Sequence, residues 1–281
     1  MKGTGSEANG VLLSGSDGEA PKPIQGGEMV VAKPHGGVQS VERAFYLLEL
    51  IAESPSDLSL SELAALVDLP PPTTHRLLKT LVSLGYARQL ASRRYGLGLG
   101  LVRLGEQADT QFAPLAKPHL EALVEQTGES ANMAMLEGNM VVYIAQAPSP
   151  HPMRMFTEVG YRTYTHSTGV GKAMLAGLDG ERVRKIVSKA GMPAATEYTI
   201  TDPARLQEEL ATIKRQGYAI DEAEHAIGVR CYAVAVPGVP IPMALSISGP
   251  AFRVTPSLGE VAIPLLKNQA AELAAKLNGS S

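Results

Sequence analysis

Apolar residues recur at helical spacing in the first third of the chain and alternate mostly at strand spacing in its middle. From Val41, the residues Ala44, Phe45, Leu48, Ile51 and Ala52 mark an amphipathic helix that ends before Pro55. Ser59-Leu-Ser-Glu62 has the capping-box spacing and opens a short second helix carrying Leu63, Leu66 and Val67 on one face. That helix stops at Asp68-Leu69. Pro70, Pro71 and Pro72 disfavour helix in the residues before them, so a third helix is predicted from about Pro72. It carries an apolar stripe (Leu77, Leu78, Leu81, Leu84) and a polar one (Thr73, Arg76, Thr80, Ser83), and Gly85 ends it. Tyr86–Gln89 and Tyr95–Leu97 flank a polar tip at 91–94 and read as a hairpin. A helical connector over 98–111 follows, with Leu97, Leu101 and Leu104 on one stripe.

Beyond Pro114 the pattern predicts a helix at 115–127, then strands Ala131–Glu137 and Met140–Ala147 joined at Gly138-Asn139, with a third strand over Met153–Thr157. Helices at 171–178, 179–190 and 203–216 precede strands Cys231–Val236 and Met243–Ser248. A final helix covers 257–277. Antiparallel pairs with helices before, between and after them give an α+β class. Residues 1–36, rich in Gly, Ser and Pro, bury too little apolar surface to offset their conformational entropy and are expected to be a disordered tail. The resulting division is a 1–36 tail, a 37–97 module of three helices and a hairpin, a 98–114 linker helix and a 115–281 α+β domain.

Charge sharpens the N-terminal half. The chain has a net charge of -3, so any nucleic-acid surface must be local. Between Pro70 and Gly105 lie Arg76, Lys79, Arg88, Arg93, Arg94 and Arg103, with no Asp or Glu. Two short helices with a tight turn, then a basic hairpin, form the layout of a winged helix-turn-helix. Its third helix suits a major groove about 12 Å wide, and its cations displace counterions from phosphate. A charge run is more often just a solvated face, but here it coincides with the helix pattern. Cys231 is the only cysteine, which excludes an intrachain disulfide framework and multi-cysteine zinc sites and suits the cytoplasm. No stretch of 18 or more apolar residues predicts a membrane span.

Several segments in order resemble one family. Gly37-Val-Gln-Ser-Val-Glu-Arg-Ala44, Leu60-Ser-Glu-Leu-Ala64, Thr74-His-Arg-Leu-Leu-Lys-Thr-Leu81 and Arg94-Tyr-Gly-Leu-Gly98 are similar to the N-terminal half of the IclR family of transcriptional regulators. Ser167-Thr-Gly-Val-Gly-Lys-Ala-Met-Leu-Ala176, Gly217-Tyr-Ala-Ile-Asp221 and Gly228-Val-Arg-Cys231 resemble that family's GAF-like effector domain. The resemblance implies a dimer, or dimer of dimers, that binds a double-stranded DNA operator under the control of a small-molecule effector, without cofactor or membrane. It places Thr73, Thr74, His75, Arg76 and Lys79 on the recognition helix, with Thr74 and Arg76 nearest base edges or flanking phosphate. Ser40 and Arg43 fall at the DNA backbone, and Arg88, Arg93 and Arg94 in the wing. Where the family's turn often has Gly, this chain has Asp68, a residue type that tolerates left-handed backbone.

For the effector, the resemblance nominates Thr168, Gly169, Val170, Asp221, Cys231, Ser246 and Ser248. Thr168-Gly-Val-Gly-Lys172 opens a helix whose exposed N–H groups favour an anion such as a carboxylate. It is no P-loop, because His166 and Ala173 stand where that motif needs Gly and Ser/Thr. Ser246 and Ser248 share a strand face. Met133, Met135, Met153, Met155 and Phe156 fit apolar walls or ordinary core equally well. A small organic or aromatic acid fits these groups. The competing reading is a sensor or cysteine-dependent enzyme on a protein-binding helical module, with Cys231 as nucleophile helped by Asp221 and His225. No base adjoins Cys231 in sequence, which favours a buried or pocket-lining thiol. His166 and His225 are too isolated to define a metal site.

Overall fold

The computed structural model describes residues 24–25, 37–109 and 113–279. The tail expected to be disordered lies outside the described residues except for Ile24–Gln25 (β1), a two-residue strand.

The N-terminal domain follows its spacing closely. Helices Gln39–Glu53 (α1), Leu60–Leu66 (α2) and Pro71–Ser83 (α3) precede strands Ala87–Gln89 (β2) and Tyr95–Leu97 (β3). Ser59 caps α2 in a complete capping box with Glu62. Asp68 takes the left-handed conformation (φ 51), so the turn closes without glycine. Proline lacks an N–H, and helix starts leave the first N–H groups unpaired anyway, so α3 begins one proline earlier than predicted. The Pro70 carbonyl accepts from the Thr73 and Thr74 N–H groups at 2.9 and 3.1 Å. Leu47, Leu48, Ile51, Leu63, Leu78 and Leu81 form the core with Ala87 and Tyr95 of the hairpin. Phe45, Leu66 and Leu84, expected on the inner stripes, are exposed instead. Leu84 lies just past the last helical residue, where the 3.6-residue period no longer sets its direction.

Gly100–Asp109 (α4) precedes Ala113–Thr127 (α5). The C-terminal domain has strands Ser130–Glu137 (β4), Met140–Ala147 (β5), Met155–Phe156 (β6) and Arg162–Tyr164 (β7), then helices Gly169–Ala176 (α6), Gly180–Ala190 (α7) and Pro203–Gln216 (α8). Strands Ala219–Glu222 (β8), Val229–Ala235 (β9) and Met243–Pro250 (β10) precede Pro256–Leu277 (α9). A six-stranded sheet runs in the order β7-β5-β4-β10-β9-β8, with every neighbouring pair antiparallel. The strand expected over Met153–Thr157 shrinks to β6, which pairs with β1 outside this sheet. The edge strands β7 and β8, three and four residues long, escaped the periodicity reading because so short a run holds hardly one alternation.

Alternation in the strands divides two layers. Met133, Leu245, Ile247, Tyr232 and Val234 pack against Leu120 and Leu123 of α5 and Leu266 and Leu273 of α9. The opposite face carries Ala134, Ala244, Cys231 and Ala233 beneath Val170, Met174 and Leu175 of α6 and Leu206 and Leu210 of α8. A register shift at Met133/Ala134 swaps the phase of β5, so Val141 and Tyr143 meet the α6 layer while Ala145 and Ala147 meet the other.

Candidate functional site

Two surfaces carry chemistry. On the N-terminal domain, α3 turns His75, Arg76 and Lys79 outward, and the hairpin adds exposed Arg88 and Arg93. Arg93 sits at the hairpin tip with φ 62, where its backbone N–H donates to the Leu90 carbonyl at 2.9 Å. Ser40 is exposed at the start of α1; Arg43 and Thr73 are half-buried.

Two of the expected contacts are corrected. Thr74 is wholly buried (0%), and its hydroxyl donates to the Pro70 carbonyl at 3.3 Å. It lies one turn before Leu78 and shares that residue's inward face, so its side chain points away from any groove. Arg94 is tied down: its Nε donates to the Asp57 carbonyl at 2.7 Å, and Nη2 pairs with Glu62 at 2.9 Å. The acid-free stretch is therefore neutralised at this position by one acid from outside it, Glu62. That pairing anchors the hairpin to α2 and leaves Arg76, Lys79, Arg88 and Arg93 as the exposed cationic face.

The second surface lies between the sheet and α6. Ser246 and Ser248 of β10 point into one face, as their period-two spacing predicts, and both are buried. Ser248 accepts from the Asn132 amide at 3.1 Å, and the Gln146 amide meets that of Asn132 at 3.0 Å. Cys231 stands opposite Ser248, and Asp221 opposite Cys231, in adjacent strands. The start of α6 presses on this floor. Thr168 caps it by accepting from the Gly171 N–H at 3.2 Å. A methyl group at Gly169 would come within 3.0 Å of the Cys231 sulfur, and one at Gly171 within 2.3 Å of the Thr165 carbonyl, so both glycines are required for close approach. Thr168, Gly169, Val170, Asp221, Cys231, Ser246 and Ser248 are thus brought together.

Burial shifts the titrating groups of the floor toward their uncharged forms. Burial first, then repulsion from Glu224, pushes the Asp221 carboxyl up to about 7, only partly offset by Lys172 and by N–H groups of Glu224 and His225. Burial, aided by Asp221, holds the Cys231 thiol protonated well above its ordinary range. Burial likewise raises the Tyr143 phenol, with Cys231, Asp221 and Tyr161 adding to it. Lys172 of the glycine-rich start is buried (1%) and occupied, donating to Glu224 and, at 3.3 Å, to Glu209. It is a structural ion pair behind the floor.

The structure also corrects the apolar walls. Met133 and Met135 face the α5–α9 layer, because they share the parity of Ala131. Met153 is exposed and Met155 is buried; the side chain of Phe156 lies outside the described residues. Sequence reasoning did not nominate Asn132, Tyr143, Gln146 or Tyr161. Asn132 shares strand parity with Ser130, and a polar residue inside an apolar strand was the one available signal. His166 bonds the Pro193 carbonyl at 3.0 Å and lies in no cluster. Among the described residues, no group of three or more His, Cys, Asp or Glu is placed to hold a metal ion, and no helix is long and apolar enough to cross a membrane.

Comparisons with known proteins give the family and the fold. Residues 40–91 fit the family model described as the IclR helix-turn-helix domain, and residues 108–275 fit that of the bacterial transcriptional regulator IclR C-terminal domain. The chain is 37% identical over 247 residues to the transcriptional repressor IclR of Escherichia coli K12, covering 84% of this chain and 90% of that one. Among solved structures, an IclR transcriptional regulator from Alicyclobacillus acidocaldarius superposes with a TM-score of 0.75 at 27% identity, covering 86% of this chain and all (100%) of that one. An IclR homolog from Microbacterium hydrocarbonoxydans, solved in complex with 4-hydroxybenzoate, gives 0.71 at 25% identity with coverage of 86% and 100%.

Proposed function

This chain belongs to the IclR family of bacterial transcriptional regulators, and from that membership we propose that it is a cytoplasmic repressor whose grip on an operator is set by a small carboxylate bound between α6 and the sheet. The observation that carries the DNA half is the outward cationic face of α3 and its hairpin, made of Arg76, Lys79, Arg88 and Arg93 on a winged helix. Arg76 and Lys79 reach base edges or flanking phosphate from α3, with His75 and Thr73 beside them, while Arg88 and Arg93 hold phosphate or the minor groove. Ser40 and Arg43 at α1 lie toward the DNA backbone.

The division into a 37–97 DNA-binding domain, a linker and a domain from 115 onward is part of the same reading. A second copy completes it: half-sites one helical turn apart need two-fold symmetry, and of the stripe Leu97, Leu101 and Leu104, Leu97 and Leu104 are exposed and suit a dimer contact, whereas Leu101 packs against the N-terminal core.

The effector half rests on seven residues, Thr168, Gly169, Val170, Asp221, Cys231, Ser246 and Ser248, gathered around a buried polar floor. A carboxylate suits it. The α6 start offers N–H groups, the Cys231 thiol and the serine hydroxyls offer uncharged donors, and Asp221, pushed up to about 7, adds a donor in its protonated form. The Microbacterium homolog's 4-hydroxybenzoate has that chemistry. A cysteine-dependent enzyme is disfavoured, because burial, aided by the neighbouring Asp221, holds the Cys231 thiol protonated.

Arg76→Ala tests the DNA assignment. Operator affinity should fall about tenfold or more, and the salt slope should lose about one unit. Affinity unchanged across a salt titration refutes the recognition-helix placement.

A further inference from the structure

The geometry points to His225 as a further effector-contacting residue, giving a ring N–H to an oxygen of a small carboxylate held over Ser246 and Ser248. This rests on the pocket reading above and extends it to a residue outside the seven.

Both ring nitrogens of His225 are shielded from solvent and bonded to nothing among the described residues. A buried polar group left unpaired costs about 1–3 kcal/mol, so a fold that keeps two such atoms holds them for something absent from the free protein. The ring is fixed there by construction. The His225 N–H donates to Asp221 Oδ1 at 3.3 Å, and the preceding turn is clamped by Thr199 on the Glu224 carbonyl at 2.6 Å and Thr196 on the Ala223 carbonyl at 2.7 Å. Ala223 pays with a left-handed backbone (φ 59).

The ring packs edge-on to Tyr161 with centroids 6.3 Å apart, and Tyr161 lies 6.1 Å from Tyr143, which reaches the field of Asp221 and Cys231. His225 is thus joined to the floor through Asp221, which takes its backbone N–H and stands opposite Cys231, and its ring continues the Tyr161–Tyr143 row. Burial lowers its proton affinity to about 4, so at neutral pH it is an uncharged imidazole with one donor and one acceptor. Lys172, behind the floor, is already taken by Glu209 and Glu224. A carboxylate entering this site therefore needs uncharged donors, and the idle imidazole supplies one.

The test uses the full-length protein with formate, acetate, benzoate and 4-hydroxybenzoate as probes. At least one is expected to raise the melting temperature of the wild type. His225→Phe removes the unpaired nitrogens, so the free protein should melt at the same temperature or higher, while affinity for that carboxylate falls about tenfold. His225→Gln, which restores an N–H, should recover part of the loss. Unchanged carboxylate affinity in His225→Phe overturns the role of His225 and leaves the pocket standing. A wild type indifferent to all four probes overturns the carboxylate pocket itself. If His225→Phe fails to fold, the ring-nitrogen NMR signals of wild-type His225 decide: they must move on saturation with the bound carboxylate, and signals that stay still refute the contact.

Discussion

Adding one methyl group at Gly169 probes whether the start of α6 bears directly on the effector floor. In Gly169→Ala the new carbon would lie 3.0 Å from Cys231 Sγ, 3.3 Å from Ala233 Cβ and 3.7 Å from Asp221 Cβ. Comfortable carbon contacts are about 3.5–4.0 Å, so the sulfur contact must open by about half an ångström. β9 is hydrogen-bonded on both sides and cannot retreat, so α6 must lift. Overpacking of this kind costs about 1–3 kcal/mol, and replacing glycine returns about 0.4–1 kcal/mol through the unfolded chain. The net effect is a loss of about 1–2 kcal/mol, or a drop in melting temperature of about 2–4 °C per kcal/mol. Cys231→Ala alone costs about 1 kcal/mol for the void it leaves. In the double variant the methyl added at position 169 enters that void, so the two losses should offset each other by about 1–2 kcal/mol in a double-mutant cycle read by urea unfolding. Additivity within about 0.5 kcal/mol would refute the direct contact.

Other outcomes follow from the same geometry. Asp221 titrates near 7 when folded against an ordinary 3.8, so the folded state binds the extra proton and stability falls as pH rises between those values. His225 is lowered to about 4 from 6.5, so its contribution rises over nearly the same interval and cancels that slope. Asp221→Asn should therefore tilt the stability profile upward between about pH 4 and 6.5, relative to wild type, by up to about 1.4 kcal/mol per pH unit; parallel profiles in denaturant titrations would show that Asp221 is not held neutral. Thr74→Val, which alters only an inward-facing hydroxyl, should leave operator affinity within about twofold, and a tenfold loss in gel-shift titration would return Thr74 to the groove. Ser59→Ala breaks the capping box and should lower the stability of the N-terminal domain by about 1 kcal/mol in urea unfolding, with no change meaning that the cap is redundant.

Much of this was legible in the chain itself, for local reasons. The Ser59–Glu62 box, the left-handed tolerance of Asp68 and the prolines that start α3 act over a few residues, and each appears where its chemistry placed it. The period-two pairing of Ser246 with Ser248 also survived folding intact. Strand ends and the shortest strands did not, because β7 and β8 exist only through their neighbours' hydrogen bonds.

The chain alone determined the helices, the long strands and the acid-free basic stretch, since each is written in spacing and side-chain type over one or a few turns. Tertiary structure decided which of these residues are free to act. Arg94 is occupied by Glu62, 32 residues away; Asn132 reaches Ser248 across 116; Thr74 is drawn inward while Arg76 is left outside; and the ring nitrogens of His225 are enclosed without a hydrogen bond among the described residues. Periodicity says which side chains share a face. Only packing between distant segments says whether that face meets core, counter-charge, or a space left for a ligand.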